Sequence, residues 1–204
     1  MGKRILVMAL VCYMIAQAGL GWSQDRAWTF DPAHTSLTFT IRHVLAKVAG
    51  TFDEIQGEVV FDPSHPEQAK MEVRIPVRSI NTRVERRDAH LRSPDFFDTE
   101  RYPWITFASH EVRSGKNVNE FLARGTLTIK NVSRSLDLPF IFLGVQTDPF
   151  DPNKEIAGFE GHVTLDRLEF GVGNGEFFRK GLMGKEVDVA IYLEMVRGKN
   201  PAGP

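Results

Sequence analysis

The stretch RRDAHLRSPDFFDTERYPWITF, residues 86–107, crowds Arg86, Arg87, Asp88, His90, Arg92 and Asp95 against Phe96, Phe97, Trp104 and Phe107. Three chemistries can be built from it. A histidine flanked by carboxylates can move protons. Imidazole and carboxylate groups can ligate a metal. Cations edged by aromatic rings can close the mouth of an apolar cavity. The metal reading would draw on His34, His43 and His90 with Asp31 and Asp88, and it needs three or four donors to converge. Each has a simpler local role: His34 with Asp31 in a turn, His43 at a strand end, His90 on a helix face shared with Arg86 and Arg87. For Asp88 and Asp95 that role is hydrogen bonding within a helix and a turn. Neither a metal nor another cofactor is expected.

The remaining motifs fail on their spacing. GVGNGE at 171–176 places Glu176 where a dinucleotide fingerprint needs its third glycine, and GLMGKE at 181–186 lacks the upstream glycine and the Ser or Thr of a phosphate loop. His110-Glu111 is not followed by a second zinc-binding histidine, and no nucleophile elbow is present. Asn131-Val132-Ser133 matches a glycosylation sequon that arises readily by chance. Gly171, Gly173, Gly175, Gly181 and Gly184 read as a flexible loop between the last two strands.

Strands must position whatever does the work, because the apolar period is two. In TSLTFTIRH, Leu37, Phe39 and Ile41 alternate with Thr38, Thr40 and Arg42; in MEVRIPV, Met71, Val73, Ile75 and Val77 alternate with polar residues and Pro76. GTLTI, SLDLPFIF, HVTLD and EVDVAIYLEM repeat the pattern, and AWTFD, GTFDEIQGEVVFD and WITFASHEV bring the total to about eight or nine short strands. Strands with one wet face belong in an antiparallel meander. Pro76 and Pro139 would remove ladder donors, which predicts edges or bulges there. The best helical candidate is residues 83–92, and His65 to Lys70 predicts a turn. With so few helices the sheet must pack as a sandwich or close into a barrel.

A barrel of this strand number is either filled by its side chains or holds one small ligand. The inward set of Leu37, Phe39, Ile41, Met71, Val73, Ile75, Leu127, Ile129, Leu136, Leu138, Phe140, Val163, Leu165, Val187, Val189 and Ile191 contains no ionisable side chain. Such an interior prefers hydrocarbon to sugar or nucleotide. The same residues would equally serve a solid core, and the 15 phenylalanines suit both.

MGKRILVMALVCYMIAQAGLGWSQ at the start has the anatomy of a secretory signal peptide over residues 1–23, with Lys3 and Arg4, an apolar run, and small residues that allow cleavage after Ala18 or Ser23. The single cysteine, Cys12, leaves with it, so no disulfide or thiolate site is expected. Without Lys3 and Arg4, 23 of the 25 basic side chains face 26 acidic ones, and this balance argues against nucleic acid as a partner. One domain over residues 24–197 and a disordered tail at 198–204 complete the layout.

Taken in order, Trp28-x-x-Asp31-x-x-His34-Thr35, Phe39, His43, Gly50-Thr51-Phe52, Gly57 and Ser79-Ile80-x-Thr82 resemble the YceI family of bacterial periplasmic proteins. Arg87-Asp88-x-His90-Leu91-x-x-x-Asp95-Phe96-Phe97-Asp98, then Tyr102-Pro103-x-Ile105-x-Phe107-x-Ser109, Gly125-x-Leu127-Thr128-Ile129 and Arg167-x-x-Phe170-Gly171, extend the resemblance from Trp28 to about Met195. Asn131, where the family has glycine, and Thr35, where it has serine, depart from the pattern. The resemblance implies an all-β fold: a single antiparallel eight-stranded lipocalin-like extended barrel with one or two short helices. It further implies a non-catalytic, periplasmic carrier of a long polyisoprenoid lipid, such as an isoprenoid quinone or a polyprenyl phosphate. The expected lining is Leu37, Phe39, Ile41, Phe52, Val73, Ile75, Leu127, Ile129, Leu138, Phe140, Val189 and Ile191, with Phe96, Phe97, Trp104 and Phe107 lining or closing the entrance. Arg87 and His90 are the expected head-group contacts, and residues 86–107 read as the hinge of a lid. Membrane redox proteins are expected partners, and uncovered strand edges would allow a homodimer. The rivals are a stress-response or structural module with a filled core, and an exported hydrolase using Asp88 or His90.

Overall fold

The computed structural model describes residues 27–199; the expected signal peptide and its cleavage sites, with residues 200–204, lie outside the described residues. Eleven strand segments form one antiparallel sheet: β1 Ala27–Phe30, β2 Ser36–His43, β3 Ala46–Phe52, β4 Gln56–Val60, β5 Lys70–Pro76, β6 Ile80–Asn81, β7 Trp104–Ser114, β8 Glu120–Ile129, β9 Val132–Thr147, β10 Lys154–Asp166 and β11 Met183–Gly198. Closure comes from β1, which pairs with β4 on one side and with β11 on the other.

The segments amount to eight barrel strands because each of the first three is broken in the middle. Both β1 and β2 pair with β11, β4 and β3 pair with them in turn, and β5 and β6 follow as the third broken strand. The breaks at residues 31–35, 53–55 and 77–79 lie beside one another and form a seam where the sheet bends. Local chemistry sets it: the Asp31 carboxylate accepts from the Ala33 N–H at 2.8 Å, and Pro76, which has no N–H, leads into a 3-10 turn at Val77–Ser79. Gly57, the second residue of β4, has φ +133°, and a Cβ there would lie 2.0 Å from the Glu72 carbonyl oxygen.

Several expectations need correcting. The strands are longer than the alternating stretches, with β9 and β11 each reaching 16 residues. Gly198 ends β11, and the Lys199 N–H donates to the Asn153 carbonyl. Closure of β1 onto β11 pairs the two ends of the sheet, and an uncovered edge is left at residues 132–139 of β9, which pair only with β8. Pro139 lies at a local edge, as expected: it pairs with Leu122 of β8, but β9 pairs with β10 only from Phe140 onward, so no donor is called for on that side. The glycine-rich segment after β10 is partly helical, with a 3-10 turn at Arg167–Phe170 and helix α2 at Glu176–Arg179.

The two ends of the barrel differ. At one, Phe61 packs edge-on against Phe121, Phe140, Phe142 and Phe159, with ring centroids 5.0–5.7 Å apart, and Trp28 and Met195 are buried in the same core. At the other lie helix α1, Glu85–Arg92, and the segment from Arg167 to Leu182. Helix α1 is placed by its dipole as well as its contacts: Glu85 stands in its first turn, His90 and Arg92 in its last, and Arg92 pairs with Glu85 at 2.9 Å.

Candidate functional site

Inside the barrel is an apolar cavity of about 860 Å³, within the range of small-molecule sites. The period of two builds its wall. All sixteen inward residues named from the alternation line it, among them Leu37, Phe39 and Ile41 of β2, Val73 and Ile75 of β5, Leu127 and Ile129 of β8, Leu138 and Phe140 of β9, and Val189 and Ile191 of β11. Phe52, Phe96, Phe97 and Phe107 line it too. The interior is a cavity and not a filled core. The aromatic cluster closes its floor, whereas the exposed lining residues His43, Val84, Arg86, His90, Phe177 and Leu182 all lie at the α1 and α2 end, which is therefore the mouth.

Trp104 does not line the cavity. In β7 the inward positions are Ile105 and Phe107, which face Ile75 and Val73 of β5, so Trp104 points outward, 36% exposed, under the Arg74 guanidinium at 5.0 Å. Residues 104 and 107 are three apart and cannot share one face of a strand. Ile105 takes the inward place.

The stretch that opened the sequence forms a bonded cap. Asp88 is buried and accepts from the Thr82 N–H at 2.9 Å and from the Thr82 hydroxyl. Arg87 donates through Nε to the Thr82 Oγ1 at 2.7 Å and through Nη2 to the Thr82 carbonyl at 2.8 Å. Beyond the helix, the N–H groups of Phe97, Asp98 and Thr99 donate back to Leu91, Ser93 and Arg92. This places Phe96 and Phe97 in the cavity and gives a cap anchored at both ends where a lid hinge was expected. Arg87 and His90 both reach the cavity mouth; His90 Nε2 is 3.0 Å from the Asp95 carboxylate, and its ring meets Phe96 edge-on.

The sequence did not single out Arg167, a charged residue in this apolar wall. It is 6% exposed and lines the cavity. Its Nε donates to the Gly184 carbonyl at 2.9 Å and its Nη1 to the Val172 carbonyl at 2.6 Å, while Nη2 is buried with no partner. Burial pushes the guanidinium below its ordinary value, against the pull of Asp166. Burial would also push the Asp166 carboxyl up, but the Lys185 ammonium at 2.8 Å and the Leu168 N–H at 2.9 Å outweigh it and hold the carboxyl below the usual range. The signal available in the sequence was Arg167-x-x-Phe170-Gly171, where the Gly171 φ of +65° ends the 3-10 turn.

The five residues considered as metal ligands do not form one group. His43 and His90 belong to the cavity mouth, Asp88 is held by Thr82, and Asp31 with His34 sits at the seam. There His34 Nδ1 lies 2.8 Å from Asp31 and 3.6 Å from Glu194. The hydrogen bond to Asp31 raises the imidazole above its ordinary value and lowers the carboxyl below its own.

Relatives share both the length and the barrel. Residues 28–195 match the YceI-like domain. A UPF0312 protein of Pseudomonas fluorescens is 30% identical over 202 residues, covering 97% of this chain and 99% of its own. Another from Staphylococcus aureus strain USA300 is 35% identical over 170 residues, covering 82% and 95%. Among solved structures, Burkholderia cenocepacia BcnA aligns with a TM-score of 0.73 at 23% identity, covering 81% of this chain and 98% of its own. The Campylobacter jejuni YceI protein gives 0.65 at 27% identity, covering 76% and 87%. A polyisoprenoid binding domain from Saccharophagus degradans gives 0.62 at 14% identity, covering 84% and 98%. Matched from the first barrel strand to the last, the chain belongs to the family of YceI-like domains.

Proposed function

We propose that this protein is a non-catalytic, periplasmic carrier that holds one long polyisoprenoid lipid, an isoprenoid quinone or a polyprenyl phosphate, inside its barrel. The observation that carries this reading is the 860 Å³ cavity with an aliphatic and aromatic wall, closed at one end and open at the other. At bulk density that space would take on the order of thirty waters, and the wall offers them few hydrogen-bond partners. Replacing them with hydrocarbon contributes about 0.8 kcal/mol for each CH₂ buried. A long tail therefore binds tightly with little polar recognition, and the size of the cavity sets the length accepted. The solved domain from Saccharophagus degradans with this fold is described as polyisoprenoid binding, which supports the choice of lipid class.

The head group is proposed to meet Arg167, whose Nη2 lacks an acceptor, or Arg87 and His90 at the mouth. Either kind accepts a guanidinium hydrogen bond through oxygen, and a phosphate adds charge to it. Handing the lipid to membrane redox proteins is the proposed use of a quinone cargo. A cavity-blocking variant tests the binding: Leu138→Trp with Val189→Trp, folded by circular dichroism, is expected to lose the isoprenoid that copurifies with the unmodified protein. Equal lipid content in both would place the lipid elsewhere.

A further inference from the structure

The cavity mouth is ringed by apolar side chains that face solvent. At the tip between β2 and β3, Val44 is exposed and Leu45 is 98% exposed; across the opening from α1 stand Phe177, Phe178 and Leu182, each about 40% exposed. The ring is continuous in places: the Val44 N–H donates to the Leu182 carbonyl at 3.0 Å, and Phe177 stacks on Phe96 at 6.4 Å. Solvated apolar tips grouped at one opening mark an interaction surface.

Charge surrounds them. Lys47 is balanced by Asp188, Lys180 by Glu176 and Glu85 by Arg92. Arg42, Arg83, Arg86 and Arg179 make no ion pair among the described residues, and Glu169, Glu186 and Asp95, which faces His90, are the three opposing carboxylates in the same region. The rim therefore carries a net positive charge on a protein whose overall balance is slightly acidic.

We propose that this rim is a docking surface for an anionic phospholipid bilayer, with Leu45, Val44 and Phe178 entering the head-group layer and the arginines meeting lipid phosphates. Apolar tips inside a basic ring are the combination that binds such an interface. The location supports the occupant: a bilayer seated here covers the mouth, so an apolar tail passes between membrane and cavity without crossing water. That purpose rests on the carrier reading; the docking itself rests on the rim.

The test is flotation of the purified protein with vesicles of phosphatidylglycerol and phosphatidylethanolamine, compared with phosphatidylcholine alone. The protein is expected to float with the anionic vesicles, less so as salt rises. Leu45→Glu with Phe178→Glu, neither residue lining the cavity, is expected to weaken binding by about tenfold or more. Phe150→Glu, a 95% exposed residue at the far end of the barrel, is expected to leave binding unchanged. Failure of the unmodified protein to float, equal loss from Phe150→Glu, or conversion of a dimer to monomer by Leu45→Glu without vesicle binding would overturn the proposal. Extracted lipid is measured on the same samples. Flotation without bound isoprenoid would sink the carrier reading alone, and bound isoprenoid without flotation would sink the docking surface alone.

Discussion

Three charged residues are buried among the described residues, and they are held differently: Asp98 faces the Arg101 guanidinium at 3.5 Å, whereas Asp88 and Arg167 have no ion pair. Asp88 lies under the cap with Thr82 supplying both an N–H and a hydroxyl, so Asp88→Ala leaves buried donors unmatched. A loss of about 2–3 kcal/mol is expected from hydrogen bonds to a charged group, read as a lower denaturant midpoint. A hydrolase built on Asp88 would instead lose turnover while remaining stable. Arg167 donates from Nε and Nη1 to backbone carbonyls, and its Nη2 has no partner. Its neighbour Asp166 gives a pH-dependent prediction. A carboxyl lowered on folding contributes stability above its unfolded value, here the ordinary 3.8, and loses it as pH falls through the folded value. Asp166→Asn keeps an acceptor for the Leu168 N–H but removes the charge that faces Lys185, so it should cost up to about 1 kcal/mol at neutral pH, with the difference from the unmodified protein shrinking below pH 4 in parallel urea melts. At the mouth, Arg87 is committed to Thr82 through Nε and Nη2, so Arg87→Ala should lower stability; lipid retention falls as well only if Arg87 also meets the head group.

At the scale of elements, the aromatic floor and the alternating wall have different tasks. Phe61→Ala removes the ring on which four other phenylalanines pack and should cost about 3–5 kcal/mol by the precedent for buried aromatics, measured in urea melts. Trp104→Ala, on the outer face of β7, should leave lipid content unchanged, whereas Phe107→Ala, two residues from Ile105 on the inner face, should alter it. The wall was legible in the sequence because a two-residue period assigns faces without any knowledge of pairing. Trp104 shares aromatic character with Phe107 but not its place in that period, so it lies on the outer face. Neither Arg167 nor the segment through Leu182 could be read this way: the partners of Arg167 are backbone carbonyls at Val172 and Gly184, and run-on glycines look like loop whether or not they frame a short helix. The aligned breaks in the first three strands were equally hidden, since each looks like an ordinary turn until the register sets them side by side.

For the whole molecule, asymmetry between the ends matters more than the barrel itself. Phenylalanine rings seal one end, while the other combines a bonded cap, exposed apolar tips and unpaired arginines around an opening. The central claim, that the cavity is built to hold an isoprenoid tail, is met most directly by native mass spectrometry of the protein as isolated without added detergent or lipid. One isoprenoid per chain is expected, as a mass excess that collision releases and lipid analysis identifies. A chain that carries no bound lipid, and takes none up from isoprenoid quinone or polyprenyl phosphate offered in detergent, would contradict it.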